Sequence, residues 1–453
     1  MIVETASYHP NLPVKIQTYE DLMFMPYGEK GKMFILANKL LFAYGSMVAY
    51  LLIIKDTVPM MLGSPNDGLT REMTMLVTSF VIILPLSSMR DMASLASTSL
   101  LSVGADVVLL IFMCIYAPVS ESVNSAGGFL EVLKDYAFNT HFFIGLGIIS
   151  QAMTCQPLAL IVNGSLESKT SANWGKVSSY SLSTAWLLCS IVGLVGMLAY
   201  LDDTQANILN NFETGSIAAN GSRGLVAISM IFTYPMQCFV ARHVLAKVLF
   251  NGDSEGEIEM SDDGVQIARG KYLGCIGRRV MITLGIYVAT LVPALIFNDL
   301  GPVLSITGSI GGSCLAYIGP GLIYLGAHGD AFMEYTNGML RKSSSGVDPS
   351  IELPAAGNAS ATMDSEQSAT GSPPLWWYPL LVPLWRKVAA TGGAGLKLRL
   401  QQLEEQNPGS TITRTGEIVT PKHSWFFLSM FMVVFGIVAL VAGVLSNVYV
   451  NLY

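Results

Sequence analysis

Residues 142–164 read FFIGLGIISQAMTCQPLALIVNG, an apolar run long enough to cross a hydrocarbon core but interrupted near its middle. Pro157 follows the interruption, and the polar side chains beside it are those of Ser150, Gln151, Thr154 and Gln156. In hydrocarbon the protein itself must satisfy every backbone polar group, so a broken helix survives only where it is buried or lines a cavity. The stretch therefore predicts a membrane helix broken at a polar cavity, with these four side chains as candidate ligands of a bound solute.

The composition of the whole chain also indicates a membrane protein. Hydrophobic residues make up 51% of the 453 residues and charged residues 13%, whereas a soluble chain carries about 25% charged residues. Apolar runs of spanning length predict nine helices, over residues 33–54, 73–89, 93–117, 141–163, 178–201, 223–249, 280–298, 302–327 and 425–450. We therefore expect an all-α protein that crosses the membrane about nine times.

The basic residues predict which side of the membrane each loop faces. If loops alternate sides and the N-terminal segment is cytoplasmic, only four of the 25 basic residues face the opposite side, Lys55, Arg71, Lys134 and Arg223. The other 21, with Lys39 counted at the membrane edge, fall on the cytoplasmic side. Since cytoplasmic loops carry the excess of lysine and arginine, this orientation is favoured, and it puts the C-terminus on the outer or luminal side.

The predicted spans divide the chain into four parts. These are a cytoplasmic N-terminal segment at 1–32, a transmembrane bundle at 33–327, a cytoplasmic, largely disordered loop at 328–424, and a last transmembrane helix within 425–453. The bundle includes an acidic cytoplasmic loop, residues 250–279, which has too few apolar residues to fold by itself. The run LWWYPLLVPLW, residues 375–385, is too short to cross and is typical of a segment anchored at the headgroup level.

Two charged residues within the spans each have two interpretations. Asp106, in the run LLSVGADVVLLIF, must be paired, protonated or hydrated, because an isolated carboxylate in the bilayer is costly. It is either a proton or cation site or a carboxyl group hydrogen-bonded to serines of a neighbouring helix. Arg242, at the end of the sixth span, is expected to extend to the lipid phosphates as an interfacial anchor, or else to mark a functional site.

The sixth and eighth spans also contain helix breakers. The sixth contains Thr233 and Pro235, and the proline predicts a bend. The eighth reads PVLSITGSIGGSCLAYIGPG over residues 302–321 and is rich in glycine and serine. Small residues allow membrane helices to approach closely. For the eighth span we therefore expect tight helix packing rather than a binding cavity.

Several stretches resemble one family of membrane proteins. These are TYEDLMFMPYGEKGK at 18–32, YGSMVAYLLIIKDTVPMML at 44–62, PLSSMRDMASLASTSLLSV at 85–103, FTYPMQCFVARHVL at 232–245 and LGPVLSITGSIGGSCLAYIGPGLIYL at 300–325. They are similar to segments of the amino acid/auxin permease superfamily, in particular its sodium-coupled neutral amino acid transporters of the "member eleven"-like branch. The resemblance covers nearly the whole chain except residues 338–424.

The resemblance implies a leucine-transporter-like fold of two inverted repeats of five helices, followed by an eleventh. In that fold the first and sixth helices are unwound at mid-membrane and hold the amino acid, and the eighth donates hydroxyl groups to a sodium ion. The span at 141–163 then corresponds to the sixth helix and the span at 223–249 to the eighth. Ser229 and Thr233 match the hydroxyl-bearing stretch and are candidate sodium ligands, with Asp106 as a further candidate for the coupling ion.

The sequence departs from the family pattern in two places. Where the family usually has AFVCHHNS, residues 152–159 read AMTCQPLA, so that Gln156 and Pro157 stand in place of two histidines. We therefore expect a different pH sensitivity and substrate range. The second departure is that the family's first two helices, the first with a GSGILGLPYA type of motif, have no counterpart among the nine spans. An incomplete gene model or an isoform that has lost the site would explain this, and a chain that truly starts at Met1 is expected not to transport.

Three classes of function follow from these patterns. The leading hypothesis is a secondary active transporter that moves amino acids, neutral ones in particular, by alternating access coupled to a sodium or proton gradient. It would reside in the plasma membrane or a vacuolar or lysosomal membrane. The alternative is an amino acid sensor, or a transport-deficient truncated isoform, of the same fold. A channel is disfavoured because no filter-like motif is present.

An enzyme is not expected. The histidines and cysteines are scattered, without the spacing of a metal site or a catalytic motif. We expect no cofactor besides the coupling ion, sodium or proton, and no metal beyond a sodium at Ser229 and Thr233. The expected partners are an amino acid substrate and the lipid bilayer, and no feature of the sequence points to nucleic acid.

Overall fold

The computed structural model describes most of the chain. The described residues are 2–8, 18–63, 68–89, 96–136, 142–168, 170–213, 215–250, 258–260, 266–268, 272–344, 378–406 and 423–452.

Nearly all of these residues are helical. The first nine helices are α1 Ile2–Tyr8, α2 Tyr19–Met61, α3 Gly68–Thr78, α4 Leu84–Ser87, α5 Ala96–Tyr116, α6 Val119–Ser125, α7 Phe129–Tyr136, α8 Phe142–Met153 and α9 Gln156–Ser165. The remainder are α10 Ser171–Tyr200, α11 Ile217–Phe250, α12 Tyr272–Ile296, α13 Leu300–Thr307, α14 Gly319–Ala327, α15 Gly329–Ser344, α16 Tyr378–Gln406 and α17 His423–Leu452. Three π-helical turns, Ser79–Ile83, Gly308–Gly312 and Cys314–Ile318, connect α3 to α4 and α13 to α14.

The predicted spans are confirmed by these helices. The described residues contain eight helices long and apolar enough to cross a membrane. The number becomes nine when Ser102–Tyr116 and Val119–Ser125, which meet at an angle of 51°, count as one span. Pro118 lies at this bend, as expected for a residue that cannot donate a backbone hydrogen bond. The all-α prediction is therefore confirmed, whereas the inverted-repeat arrangement stays a prediction.

The chain divides into two compact units. The larger consists of Thr18–Glu20, Met33–Gly319 and Val433–Tyr453, and the smaller of Met1–Gln17, Asp21–Lys32 and Pro320–Met432. In the larger unit the apolar core forms around the middle of α2, where Met47, Leu51 and Leu52 are almost fully buried. Residues of α11 and α12, including Tyr234 and Ile286, complete this core. A helix that is apolar on all sides is expected in such a central position.

Glycine-mediated packing holds α8 against the residues that follow α13. A Cβ atom built at Gly308 would lie 1.9 Å from the backbone oxygen of Gly147, and one at Gly312 would lie 3.0 Å from the backbone oxygen of Ser150. On the other side of the same π-helical turn, a Cβ atom at Gly311 would lie 3.2 Å from that of Phe42. Side chains larger than hydrogen do not fit between these backbones. The prediction of tight packing in the eighth span is confirmed.

In the smaller unit α16 packs against α15, and a ring of aromatic side chains surrounds Phe426 of α17. The ring of Phe426 lies 5.5 Å from that of Tyr324 and 5.3 Å from that of Phe332, measured between centroids. Trp385 and Leu396 of α16 are also buried. The unit thus has an apolar core of its own.

The structure departs from the sequence-based predictions in several connecting segments. The first long helix begins at Tyr19, before the predicted start of the first span at residue 33, and α1 lies in the predicted N-terminal segment, whose cytoplasmic location stays a prediction. In the predicted acidic loop, Ile258–Met260 pairs antiparallel with Gln266–Ala268, because the alternating apolar residues suit a short hairpin. The predicted disordered loop at 328–424 contains α15 and α16, whereas its residues 345–377 lie outside the described part. The aromatic run is described from Tyr378 onwards, where it forms the start of α16.

Candidate functional site

The fourth predicted span is broken where the sequence indicated. Helix α8 ends at Met153, Thr154 and Cys155 are not helical, and α9 starts at Gln156 with Pro157 in its first turn. Proline is well suited to the first turn of a helix but cannot continue one, which explains why the new helix starts here. The hydroxyl group of Thr154 donates a hydrogen bond to the backbone oxygen of Ser150 and closes the last turn of α8. The prediction of a broken membrane helix is confirmed.

The two glutamines on either side of the break have buried oxygen atoms with no hydrogen-bond donor. These are Oε1 of Gln151 and Oε1 of Gln156, and the statement holds for donors within the described ranges. A buried polar atom without a partner is uncommon in a native protein and calls for a reason, such as a missing ligand or water. Two amide oxygens next to a broken helix are suited to accept from an ammonium group or to bind a cation.

The other polar group of Gln151 begins a chain of interacting polar side chains through three helices. Its Nε2 donates to Oγ of Ser46 over 2.7 Å, and both residues are buried. Tyr50, one turn further along α2, interacts with the side chains of Ser46 and of Gln237 in α11. We call Gln151, Ser46, Tyr50 and Gln237 the polar chain. It connects the break with α11, one turn beyond Thr233.

Ser150 faces a different neighbour. Its side chain is fully buried, and its Oγ lies 3.5 Å from the hydroxyl oxygen of Tyr317. Tyr317 in turn packs edge-on against Phe435, with ring centroids 5.0 Å apart. Ser150 therefore contacts the π-helical region after α13 rather than the polar chain.

A row of serines lies along the helix that packs on α8. Ser305, Ser309 and Ser313 are spaced four residues apart and are fully buried, and we call them the serine row. Oγ of Ser305 donates to the backbone oxygen of Ile144 over 3.0 Å and accepts from Nδ2 of Asn447 over 2.7 Å. The hydroxyl groups of Ser309 and Ser313 have no hydrogen-bond partner within the described segments. The hydroxyl group at the outer end of the row is thus satisfied, and the two unsatisfied ones, of Ser309 and Ser313, lie further along the helix.

A polar cavity of about 600 Å³ opens at one end of this row. Its lining comes from five parts of the larger unit: Asp56, Ile144, Thr204, Gln205, Ala206, Asn207, Asn210, Asn298, Asp299, Leu300, Gly301, Pro302, Asn447 and Val450. Each of these parts is a helix end or loop that the predicted topology puts on the outer or luminal side. Ile144 is seven residues before Gln151, or about 10 Å along a helix. The break at Thr154 lies three residues further along, so the cavity is about three helical turns from the break.

The walls of the cavity are held by charged side chains. Arg71 forms an ion pair with Asp56. Nζ of Lys55 donates to Oδ1 of Asn298 over 2.9 Å and to the backbone oxygen of Ala294 over 3.2 Å, so that it caps the C-terminal end of α12. Oδ1 of Asp299 accepts from the backbone N–H of Gly301 and caps α13. The remaining polar atoms of Asp299 and of the amide side chains in the lining are the candidates for contact with a solute.

Ser229 and Thr233, the candidate sodium ligands, lie on the same side of α11 one turn apart. Oγ1 of Thr233 donates to the backbone oxygen of Ser229 over 2.7 Å, and Ser229 is buried. The helix continues through Pro235. Because proline lacks an N–H group, the backbone oxygen of Ile231 loses its usual helical donor. A backbone oxygen with an unused lone pair therefore lies near Thr233. The role of Thr233 as an ion ligand stays a prediction.

Asp106 does not join the polar chain. Its side chain is exposed at the surface of α5, and the nearby group that interacts with its charge is the thiol of Cys189 in α10. No serine donates to it within the described residues. Its interpretation as a proton or cation site stays a prediction.

The prediction that Arg242 is an interfacial anchor is wrong. Arg242 is only 5% exposed. Its NH1 donates to the backbone oxygen of Ser87 and to Oγ1 of Thr283, each over 3.2 Å, and its guanidinium lies over the ring of Phe239. The backbone oxygens at the C-terminal end of α4 lack helical donors, and a buried arginine supplies them. The residue joins α11, α4 and α12.

The sequence interpretation missed part of the candidate site. It did not single out Ser46, Tyr50 or Gln237, and it assigned the eighth span to packing alone. The four-residue spacing of serines in SITGSIGGS, residues 305–313, was the one available signal, since it puts them on one helix face. Nothing in the sequence indicates that Tyr50 contacts Gln237, because the two lie on separate helices.

Comparison with known proteins identifies the family. Residues 1–337 match the family model described as transmembrane amino acid transporter protein. The chain is 28% identical over 312 residues to vacuolar amino acid transporter 2 of Saccharomyces cerevisiae, an alignment that covers 67% of the chain and 62% of the yeast protein. It is 26% identical over 316 residues to "Putative sodium-coupled neutral amino acid transporter 11" of Homo sapiens, covering 68% of the chain and 71% of that protein.

A third relative is solute carrier family 38 member 10 of Mus musculus, with 26% identity over 322 residues that cover 70% of the chain and 28% of the mouse protein. The chain thus spans about three fifths of the length of the yeast relative. The relatives are named as transporters or solute carriers rather than enzymes. Since the family model matches about three quarters of the chain, and since eight or nine helices within the described part can cross a membrane, this multi-pass membrane protein belongs to the transmembrane amino acid transporter family.

Proposed function

We propose that the protein moves neutral amino acids across a membrane by alternating access, driven by a sodium or proton gradient. The observation that carries the proposal is the pair of buried amide oxygens, on Gln151 and Gln156, on either side of the break in the fourth span, for which no residue of the described ranges supplies a donor. An amino acid's ammonium group supplies three donors in a small volume. The break also frees backbone groups, which transporters use to bind a substrate and its coupling ion.

The polar cavity provides the route from the outer or luminal side. Amide side chains and Asp299 at its lining can bind a zwitterion without a strong charge preference. Between the cavity and the break, the serine row offers hydroxyl groups along α8. The glycine contacts between Gly147 and Gly308 keep this interface closed in the present conformation. Separation of α8 from the π-helical turns would open the route, as alternating access requires.

Coupling to a cation is supported by the position of the polar chain. Gln237 follows Thr233 by one turn of α11, and through Tyr50 and Ser46 it is connected to Gln151. A sodium ion bound by the Ser229–Thr233 stretch would therefore act on the orientation of the Gln151 side chain. A proton is the alternative coupling ion. We propose the plasma membrane or a vacuolar or lysosomal membrane as the place where the protein acts.

Uptake into proteoliposomes tests the proposal. We expect saturable uptake of radiolabelled glutamine or alanine that increases with an imposed sodium or proton gradient. The variant Gln151→Leu keeps the side-chain size but removes both polar groups, and it should raise KM by about tenfold, since a lost hydrogen bond in a buried site costs about 1–3 kcal/mol. The matched control is Gln401→Leu, which makes the same change at an exposed position of α16.

The outcomes separate the hypotheses. Equal KM values for the two variants would contradict the assignment of the site to the break. Specific binding of an amino acid without any flux would favour the sensor. Flux that neither saturates nor depends on a gradient would favour a channel.

A further inference from the structure

Helix α2 is kinked at Gly28, within the smaller unit. The backbone of Gly28 has φ 67° and ψ −153°, in a region that residues with a side chain rarely adopt. Pro26 lies two residues earlier. A few residues of unusual backbone conformation between two rigid helical segments are the usual form of a hinge.

Helix α16 packs directly onto this kink. A Cβ atom built at Gly395 would lie 2.1 Å from the backbone oxygen of Pro26, and one at Gly392 would lie 2.5 Å from Cα of Gly326. The backbones therefore touch, as they do where glycines replace larger residues at a helix interface. Tyr27, the residue directly before the kink, also contacts α14, because its hydroxyl group donates to the backbone oxygen of Leu322 over 3.0 Å.

One side chain of α16 reaches over the kink itself. NH1 of Arg399 donates to the backbone oxygen of Met25 over 3.3 Å and to that of Gly395 over 3.0 Å. Its guanidinium lies over the ring of Phe24, 5.1 Å from the centroid, and its NH2 occupies the space beside Gly28 that a Cβ atom would need. The same arginine thus contacts the turn before the kink and the kink residue.

This contact comes from outside the part of the chain that the family model matches, which ends at residue 337. We infer that Arg399 is a positioning residue for transport: by holding Met25 and Gly28 it restrains the hinge in α2, so that α16 limits the rate of the conformational cycle. The inference rests on the proposed function. It adds a regulatory role for α16, which the site at the broken span does not include.

The variant Arg399→Ala tests this role, with Lys397→Ala as its matched control. Lys397 is two residues away on the same helix, but its side chain is exposed and forms an ion pair over 2.9 Å with the exposed Asp330 of α15 rather than with a residue of the kink. Each change removes one positive charge and the hydrogen bonds of that side chain. Only the first should loosen the hinge.

Two readouts are measured on the full-length protein. In proteoliposomes, Arg399→Ala should raise the maximal rate of amino acid uptake by roughly twofold to fivefold, the change in rate that corresponds to about 0.4–1 kcal/mol. KM should stay unchanged, because the substrate site is not altered. Amide hydrogen exchange over residues 19–32 should become faster in Arg399→Ala and stay at the wild-type rate in Lys397→Ala. Arg399→Lys, which retains a donor for Met25, should give intermediate values.

An Arg399→Ala protein that matches Lys397→Ala in both readouts would overturn the inference. A lower uptake rate would also overturn it, because a restraint that is removed cannot slow the cycle. If the wild-type protein shows no uptake but exchange still increases only in Arg399→Ala, the restraint on the hinge is supported and the proposed transport function fails instead.

Discussion

The close contact between α8 and the π-helical turn after α13 predicts that Gly308→Ala destabilises the protein. The added Cβ atom would lie 1.9 Å from the backbone oxygen of Gly147, 2.8 Å from its carbonyl carbon and 2.9 Å from Cβ of Gln151. A carbon and an oxygen atom in contact are about 3.2 Å apart, so the two backbones would have to separate by more than about 1 Å. A backbone oxygen in a helix cannot rotate away as a side chain could.

The expected destabilisation follows from this geometry. Overpacking a close-fitting interior costs about 1–3 kcal/mol, and the value should lie at the upper end here because two backbones must move. The matched control is Gly145→Ala in α8, the helix that Gly308 contacts, where an added Cβ atom meets no other atom of the described residues within 4 Å. There the higher helix propensity of alanine should leave stability unchanged or raise it by about 0.5–1 kcal/mol.

Thermal unfolding of the purified protein in detergent, followed by loss of the monodisperse peak in size-exclusion chromatography, measures the difference. We expect Gly308→Ala to lower the Tm by about 5 °C or more relative to Gly145→Ala, as follows from a change of about 3 kcal/mol in a large protein. A Tm for Gly308→Ala within about 1 °C of the control would refute the described backbone contact. The closed state of the route between the cavity and the break would then lose its structural basis.

Three further predictions concern other contacts. Glu20→Gln should destabilise the protein by about 3 kcal/mol or more, because its loss leaves an unpaired buried charge. Glu20 is fully buried, and its carboxylate oxygens lie 2.9 Å from Nζ of Lys39 and 2.7 Å from Nζ of Lys247. The double variant with Lys39→Met should recover most of the lost Tm, and no recovery would contradict the pairing. Arg242→Ala should lower the free energy of unfolding by about 2 kcal/mol or more, since it leaves buried backbone oxygens without donors. A Tm equal to that of the wild-type protein would contradict the role of Arg242 as a cap of α4. Thr233→Val should raise the cation concentration for half-maximal uptake roughly fivefold, and an unchanged concentration would remove Thr233 from the ion site.

The fold was predictable to the level of its spans. Each of the nine apolar runs corresponds to a helix of spanning length or to a bent helix pair, because hydrocarbon selects about twenty apolar residues in a row. The break at Thr154 was equally predictable, because a proline follows a cluster of polar residues. The helices α15 and α16 were not predicted, since their composition is that of a polar linker and their apolar face is recognised only once its partners are in contact.

The candidate site was only partly predictable. Gln151 and Gln156 were identified because polar side chains at a helix break stand out in an apolar run. Ser46 and Tyr50 lie in an apolar run without a helix breaker beside them, where occasional polar residues are unremarkable. Arg242 was misassigned, because its position at the end of a span is compatible both with lipid phosphates and with backbone oxygens inside the protein.

The sequence by itself determined which segments lie in the membrane, where one of them breaks and where glycines permit close packing. These properties are local, since they depend on the hydropathy and backbone freedom of consecutive residues. Only the tertiary structure decided which polar groups meet, such as Gln151 with Ser46, 105 residues apart, and Arg242 with Ser87, 155 residues apart. Successive residues turn by about 100° around a helix axis, so the partner of a side chain depends on the rotation and position of a second helix, which the residues of the first do not specify.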